Sequence, residues 1–348
     1  MLGVYDKTHM WLVIKPLPWG ATVILRDVSL KRVKVVGVRV LITALAGGVG
    51  AARFLSGLVK VIPEKELSVI VNTGDDIELY GLHISPDIDT VSYTLAGMVN
   101  EEKGWGIRGD TFRCLEMLKS FGLETWFNLG DKDLATHLYR TGRLKSGLKL
   151  SEVTAELSRA LGLKVRVLPM TDDTCETWVT TEAGSTHFQE YMVRRGGRDA
   201  VLDVKLVGAE VARAAPGVIE SILGSELIIV CPSNPIVSIG TILSVRGVRE
   251  ALRQSRARKI GVSPIVAGAP IRGHADKLMK GLGLEVSAHS VACLYKDFLD
   301  VFVVDVVDEE EKMKIEKLGV EVVTANTIMK TMEDRVELAR VVVKEGGR

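Results

Sequence analysis

The sequence predicts an α/β protein built on a doubly wound, mostly parallel sheet. Three observations carry that prediction. Val, Ile, Leu, Ala and Gly dominate and aromatics make up only 5% of the 348 residues, a mix suited to parallel strands packed between helices. The β-branched run Val38–Ala44 breaks at Gly47-Gly48-Val49-Gly50, and Phe54, Leu55 and Leu58 then fall on one face of a helical pattern. A second run, Leu67–Val71, ends in Asn72-Thr73-Gly74-Asp75-Asp76. Strand, glycine loop, helix and strand make a βαβ unit, with the right-handed crossover such units adopt.

Residues 88–160 read as mainly helical, with helices at Val91–Val99, Thr111–Ser120 and Ser151–Leu161. The alternating stretch Val165–Val193 predicts two or three antiparallel strands around a Glu182-Ala183-Gly184 turn. The βαβ rhythm resumes with strands at Leu227–Cys231, Lys259–Val266 and Val301–Val306, and an amphipathic helix runs from Thr327 to about Lys344. The expected organisation is a Rossmann-like core, residues 39–90 and 200–348, interrupted by a helical and β-hairpin insertion, residues 91–199. Residues 1–38 read as an extension, either a strand pair or a start-site artefact.

Lys and Arg total 45 against 44 Asp and Glu, so no broad basic field is available to grip a nucleic acid. No apolar run reaches the roughly 18 residues that a membrane span needs. Cys114, Cys175, Cys231 and Cys293 form no CxxC and read as buried small hydrophobes of a reducing cytoplasm.

Glycines between a strand and a helix permit positive φ and close approach of a phosphate, and the helix N-terminus adds amides and partial positive charge. The same glycines also suit a tightly packed turn, and no Gly-Lys-Ser/Thr follows to make a Walker loop. The second strand aims Asn72, Thr73, Asp75 and Asp76 at the same sheet edge, where open α/β sheets bind ligands. Adjacent carboxylates there suit Mg²⁺, or a turn and a helix cap. Ile84-Ser85-Pro86-Asp87-Ile88-Asp89-Thr90 adds two carboxylates just before a helix that Asp89 or Thr90 would cap. Gathering Asp75, Asp76, Asp87 and Asp89 is costly unless a cation or hydroxyl donors compensate, which favours a metal or polyol site.

Trp105, Trp126 and Phe127 offer faces for a flat heterocycle, or core. His137 sits on a helical pattern as either a structural or a catalytic histidine. Pro232-Ser233-Asn234-Pro235 forms another turn at a strand's carboxyl end, with Ser233 and Asn234 as neutral hydrogen-bonding groups. Lys277 is a phosphate contact or a solvated face.

These segments, in this order, resemble the 2-phospho-L-lactate transferase family, the CofD-type enzymes of coenzyme F420 biosynthesis. The resemblance runs from about Leu41 to Asp308. It rests on GGVGAARFLSGL, VNTGDD, GLHISPDIDTVSYTLAG, GWGIRGDTF, WFNLGDKDLATH, LPMTDD, HFQEYMVR, PSNPIVSIGTIL, SPIVAG and ADKLM. It implies a Mg²⁺-dependent transferase acting on a guanosine-diphosphate-activated lactate, or its phosphoenolpyruvate equivalent, and on the deazaflavin Fo. The ribityl hydroxyl of Fo attacks the phosphorus bearing the acid and expels GMP.

In this reading Gly47, Gly48, Gly50, Ser233 and Asn234 hold the nucleotide. Asp75, Asp76 and Asp89 ligate the metal, and Asp89 and Asp87 serve the chemistry. Asn72, Thr73, Thr90, Asn128 and His137 complete substrate binding. The sequence departs from the family at Val49 (often Thr), Arg53 (Lys), Asn128 (basic) and Gly273-His274 (Gly-Pro). A homodimer in the cytoplasm is expected. A non-catalytic nucleotide-sugar or dinucleotide-binding relative of the same fold would lack the Ile84–Thr90 and Gly104–Phe112 strings. A nicotinamide oxidoreductase would need the full G-x-G-x-x-G.

Overall fold

The computed structural model describes residues 10–17, 20–27, 32–36 and 42–347. Contacts divide the chain into two units, Met1–Val40 and Leu41–Arg348. In the first, Met10–Leu17, Gly20–Asp27 and Arg32–Val36 form an antiparallel sheet in that order, one strand more than the expected pair. Residues 38–41 of the predicted first core strand lie outside the described residues.

The second unit is organised by a seven-stranded sheet. Its strands are β1 (Ile42–Ala46), β2 (Leu67–Val71), β3 (Arg166–Pro169), β4 (Leu227–Val230), β5 (Arg258–Val262), β6 (Val301–Asp305) and β7 (Glu321–Ala325). The spatial order is β7-β6-β5-β4-β1-β2-β3, and every neighbouring pair is parallel. The fold is thus the Rossmann-like α/β architecture that the sequence predicts.

Strand β3 is a correction: Val165–Val193 is not one antiparallel unit. Its first segment pairs parallel with β2, as a buried Val167 and Leu168 require. Only Glu176–Thr181 and Gly184–His187 form the hairpin, joined on its other side by Asp203–Val207, and Glu190–Arg194 is a π-helix. Strand β7 was not foreseen, because Glu321–Ala325 covers one sheet edge and only Val322 along it is buried.

Alternation along the strands feeds two apolar layers. Ile42, Ala44, Ala46, Leu227 and Ile229 pack with α1 (Gly48–Leu58) and the C-terminal helix Met332–Glu345. Leu45, Ile70, Ile228 and Val230 pack on the other face with the helices Val218–Gly224, Val248–Gln254 and Ala288–Tyr295. Phe54, Leu55 and Leu58 are fully buried, each contributing about 1.5–3 kcal/mol. Among the described residues, no helix is long and apolar enough to cross a membrane.

Residues 86–160 contribute α2 (Pro86–Leu95), α3 (Arg113–Ser120), α4 (Asp131–Lys145) and α5 (Leu150–Ala160). Helix α2 starts earlier than expected. Pro86 takes its first position and Ser85 precedes it, so Asp87 and Asp89 lie inside the first turn rather than capping it. Cys175 and Cys231 are buried as expected. Cys114 is exposed and Cys293 half-buried, because only Leu115 of α3 turns inward and His289 faces Cys293.

Strand order reverses between β1 and β4, so the loops after these strands flank the crevice at the sheet's carboxyl edge. Gly48 takes φ +68° there. A methyl group on Gly50 would collide with the backbone carbonyl of Pro232, so α1 starts packed directly on the loop after β4. Gly50→Ala is expected to lower stability by about 1–3 kcal/mol through overpacking of backbone that cannot give way. An unchanged denaturation midpoint would show that the two loops separate freely.

Candidate active site

A cleft of about 630 Å³ opens along this carboxyl edge and runs under α2 and α4. It brings together Gly47, Gly48, Gly50, Asp75, Asp87, Asp89, Thr90, Asn128, His137, Ser233 and Asn234. Trp105 and Phe127 also line it. Trp126 instead packs edge-on against Phe127, with ring centroids 5.7 Å apart.

A glycine cradle lies where β1 and β4 end. The Gly47 N–H donates to the buried Ser233 Oγ at 3.1 Å, linking the two loops. Asn234 Oδ1 accepts from the N–H groups of Ile236 and Val237 at 3.0 and 3.3 Å, which fixes the following turn. Lys277 is not part of the cradle: its Nζ donates to the Gly197 carbonyl and ties down the 196–198 turn.

The four aspartates divide into three environments. Asp75 and Asp87 are buried at the cradle. Asn72 is fully buried and does not reach the cleft. Its Nδ2 donates to Asp87 Oδ2 at 2.9 Å and its Oδ1 accepts the Gly74 N–H at 2.9 Å, so it orients a carboxylate rather than a substrate. Thr73 is likewise buried outside the cleft lining. Burial pushes the Asp87 carboxyl up to about 6, with Asp76 adding to the rise and Asn72 and the Gly48 N–H opposing it. Burial, then the like charge of Asp87, holds Asp75 well above the ordinary carboxyl range.

Asp76 departs from the expected role of metal ligand. Its Oδ2 accepts from Ser85 Oγ at 2.7 Å and contacts His83 Nε2 at 3.0 Å, its Oδ1 is buried without a hydrogen bond, and the residue does not line the cleft.

Asp89 departs too. Both of its oxygens accept from the guanidinium of Arg140, a side chain with no exposed surface. Burial works against the Arg140 charge, and Asp89 more than compensates. His137 Nδ1 lies 3.2 Å from Arg140 Nη1 and 3.7 Å from Asp89 Oδ2, while its Nε2 lies 3.4 Å from Asp133 Oδ1. Tyr93 Oη donates to Asp133 at 2.8 Å, and its hydroxyl is raised by burial and by Asp89 and Asp133.

Donor chemistry decides where a divalent cation fits. Asp89, Asp133 and His137 offer ligand atoms within 4.8 Å of one another, but the buried Arg140 already neutralises Asp89 and repels a second cation. Among the described residues, Asp75 and Asp87 are two buried carboxylates with no cationic partner, and Asp75 Oδ1 is buried without a hydrogen bond. That pair fits a hard cation.

Sequence reasoning did not single out Arg140, Asp133 and Tyr93. A signal existed: Asp133, His137 and Arg140 are spaced four and three apart, which places all three on one face of α4.

A family model described as 2-phospho-L-lactate transferase CofD matches residues 42–343. A phosphoenolpyruvate transferase of Kitasatospora aureofaciens is 46% identical, over 86% of this chain and 95% of its own length. The 2-phospho-L-lactate transferases of Methanosarcina mazei and Methanocaldococcus jannaschii are 41% and 43% identical, over 86% and 87% of this chain and 98% and 97% of theirs. A crystal structure of a UPF0052 family member from Bacillus halodurans superposes with a TM-score of 0.57 at 17% identity, covering 87% of this chain and 98% of that one, a likeness of fold.

Proposed function

The chain belongs to the 2-phospho-L-lactate transferase (CofD) family, and from that premise we propose the following reaction. It moves a phospholactyl or phosphoenolpyruvyl group from a guanosine-diphosphate-activated donor to the ribityl hydroxyl of the deazaflavin Fo, releasing GMP. The observation that carries this reading is the meeting of two features in one cleft. A glycine cradle at the topological switch point stands beside the uncompensated carboxylate pair Asp75 and Asp87.

Phosphoryl-type transfer asks for positioning and charge neutralisation more than for a covalent nucleophile. The amides of Gly47–Gly50, with Ser233, would hold the donor's phosphates. Asp75 and Asp87 would hold Mg²⁺, which supplies neutralisation of phosphate charge. Asn72 fixes the direction of Asp87 from behind. Thr90, Asn128 and His137 reach the same cleft and would position the acceptor, with Trp105 and Phe127 offering faces to its ring. Asp89, held by Arg140, orients the hydroxyl. A new oxygen–phosphorus bond forms there as the bond to the GMP oxygen breaks, the electron pair leaves on the GMP phosphate, and the hydroxyl proton passes to solvent.

Incubation with Fo, Mg²⁺ and the guanosine-linked donor, followed by mass analysis of the flavin fraction, tests the proposal. A deazaflavin heavier by the phosphoacid group is expected. If neither the lactate nor the enolpyruvate donor produces one, the reading fails.

A further inference from the structure

We propose that Arg53, Lys103 and Arg272 form an anion subsite at one end of the cleft, built to take the carboxylate of the three-carbon acid carried by the donor. Naming the acid rests on the transferase reading above; the cationic cluster does not. Arg53 projects from α1 about one and a half turns beyond Gly48, and Lys103 and Arg272 come from two separate loops. All three line the cleft. Arg272 Nη1 donates to the Lys103 carbonyl at 3.2 Å, which joins those loops. Lys103 Nζ is held 5.1 Å from the Trp105 ring centroid and 5.2 Å from that of Phe112.

Among the described residues, none of these three cations forms an ion pair. The adjacent carboxylate, Glu101, is engaged by Arg335 at 2.8 Å. Arg53 Nε is buried without an acceptor. Burial, then the like charges of Arg272 and Arg335, lowers the Arg53 pKa, and the charge of Glu101 opposes them. Such a gathering is relieved by a ligand anion, and guanidinium forks match a carboxylate bidentately. The donor's phosphates already have the amides of Gly47–Gly50 and the Asp75–Asp87 metal pair. The acid's carboxylate has no cationic partner in either, and these three side chains supply it.

Titration calorimetry on the full chain tests the subsite, using phosphoenolpyruvate, inorganic pyrophosphate and GMP as separate probes. Arg272→Gln and Lys103→Gln alter exposed side chains, and each is expected to weaken phosphoenolpyruvate binding about tenfold while pyrophosphate and GMP stay within about twofold. Three results overturn the proposal. They are undetectable phosphoenolpyruvate binding to the unaltered protein, unchanged binding in both variants, or an equal loss for pyrophosphate, which would give the cations to the diphosphate. Failure of the two readings is separable. Arg272-dependent phosphoenolpyruvate binding without any deazaflavin product sinks the transferase reading and leaves the subsite. Normal turnover of Arg272→Gln with an unchanged KM for the guanosine-linked donor sinks the subsite alone.

Discussion

Arg140→Met is expected to destabilise the protein by about 3–5 kcal/mol, because it strands the buried carboxylate of Asp89 without its partner. Arg140 has no exposed surface and grips both Asp89 oxygens from α4, 51 residues away in sequence. His137 stands 3.7 Å from the same carboxylate, so only a weaker partner is left behind. Denaturant titration of the variant should show a lowered midpoint with an unchanged slope. The double variant Arg140→Met/Asp89→Leu should recover most of the loss, since a well-packed apolar pair replaces a buried ion pair at little cost. It should recover no transferase activity, because the side chain proposed to orient the acceptor is gone. A single variant as stable as the parent would show that Asp89 is solvated, and the positioning role would fall with it.

Asp87→Asn is expected to make the metal-free protein more stable at neutral pH while cutting transfer on the order of a hundredfold or more, because it removes a ligand of the proposed charge-neutralising cation. The two effects share a cause. The Asp87 carboxyl has an ordinary value of 3.8 and rises to about 6 in the folded chain, chiefly by burial. Between those values the native state holds a proton that the unfolded state has released. The stability this contributes is complete below about pH 4 and is lost as pH rises through about 6. The span corresponds to roughly 3 kcal/mol.

At pH 7 the ionised pair is therefore a liability that an amide removes, and Asn72 still finds an acceptor in the amide oxygen that the substitution leaves at position 87. Thermal melts of parent and variant without metal, at pH 5 and pH 7.5, check this. The variant's advantage should grow with pH, and Mg²⁺ should raise the parent's midpoint far more than the variant's. A variant less stable than the parent at pH 7.5 would mean the pair is not strained. Stability withheld at a site that needs a cation is the pattern expected of a functional centre.

Much of the site was legible locally. Glycines between a β-branched run and a helical pattern define a strand-to-helix turn whatever surrounds them, and Gly48 at φ +68° is that turn. The acidic strings after β2 and before α2 could be read as a cation or polyol site, because so many carboxylates in two short segments demand compensation. Their individual roles could not. Asp76 and Asp75 are neighbours in sequence, yet one turns to His83 and Ser85 and the other stays at the cradle. Asn72 looked like a substrate contact and proved to be the support of Asp87. Val165–Val193 alternates like a hairpin throughout, and the departure of β3 to the parallel sheet depends on a free edge of β2.

The sequence by itself determined the α/β class, the glycine cradle, the acidic character of the site and the resemblance that names the chemistry. Backbone freedom, side-chain period and residue type are local properties, and they survive in a bare string. The tertiary structure alone decided which aspartates lie together at the cradle and which is locked to Arg140. It also decided which strand borders β2 and which three cations line the cleft. Those outcomes turn on burial and on partners tens to hundreds of residues away, and a carboxylate's charge, pKa and direction follow from what surrounds it rather than from its neighbours in the chain.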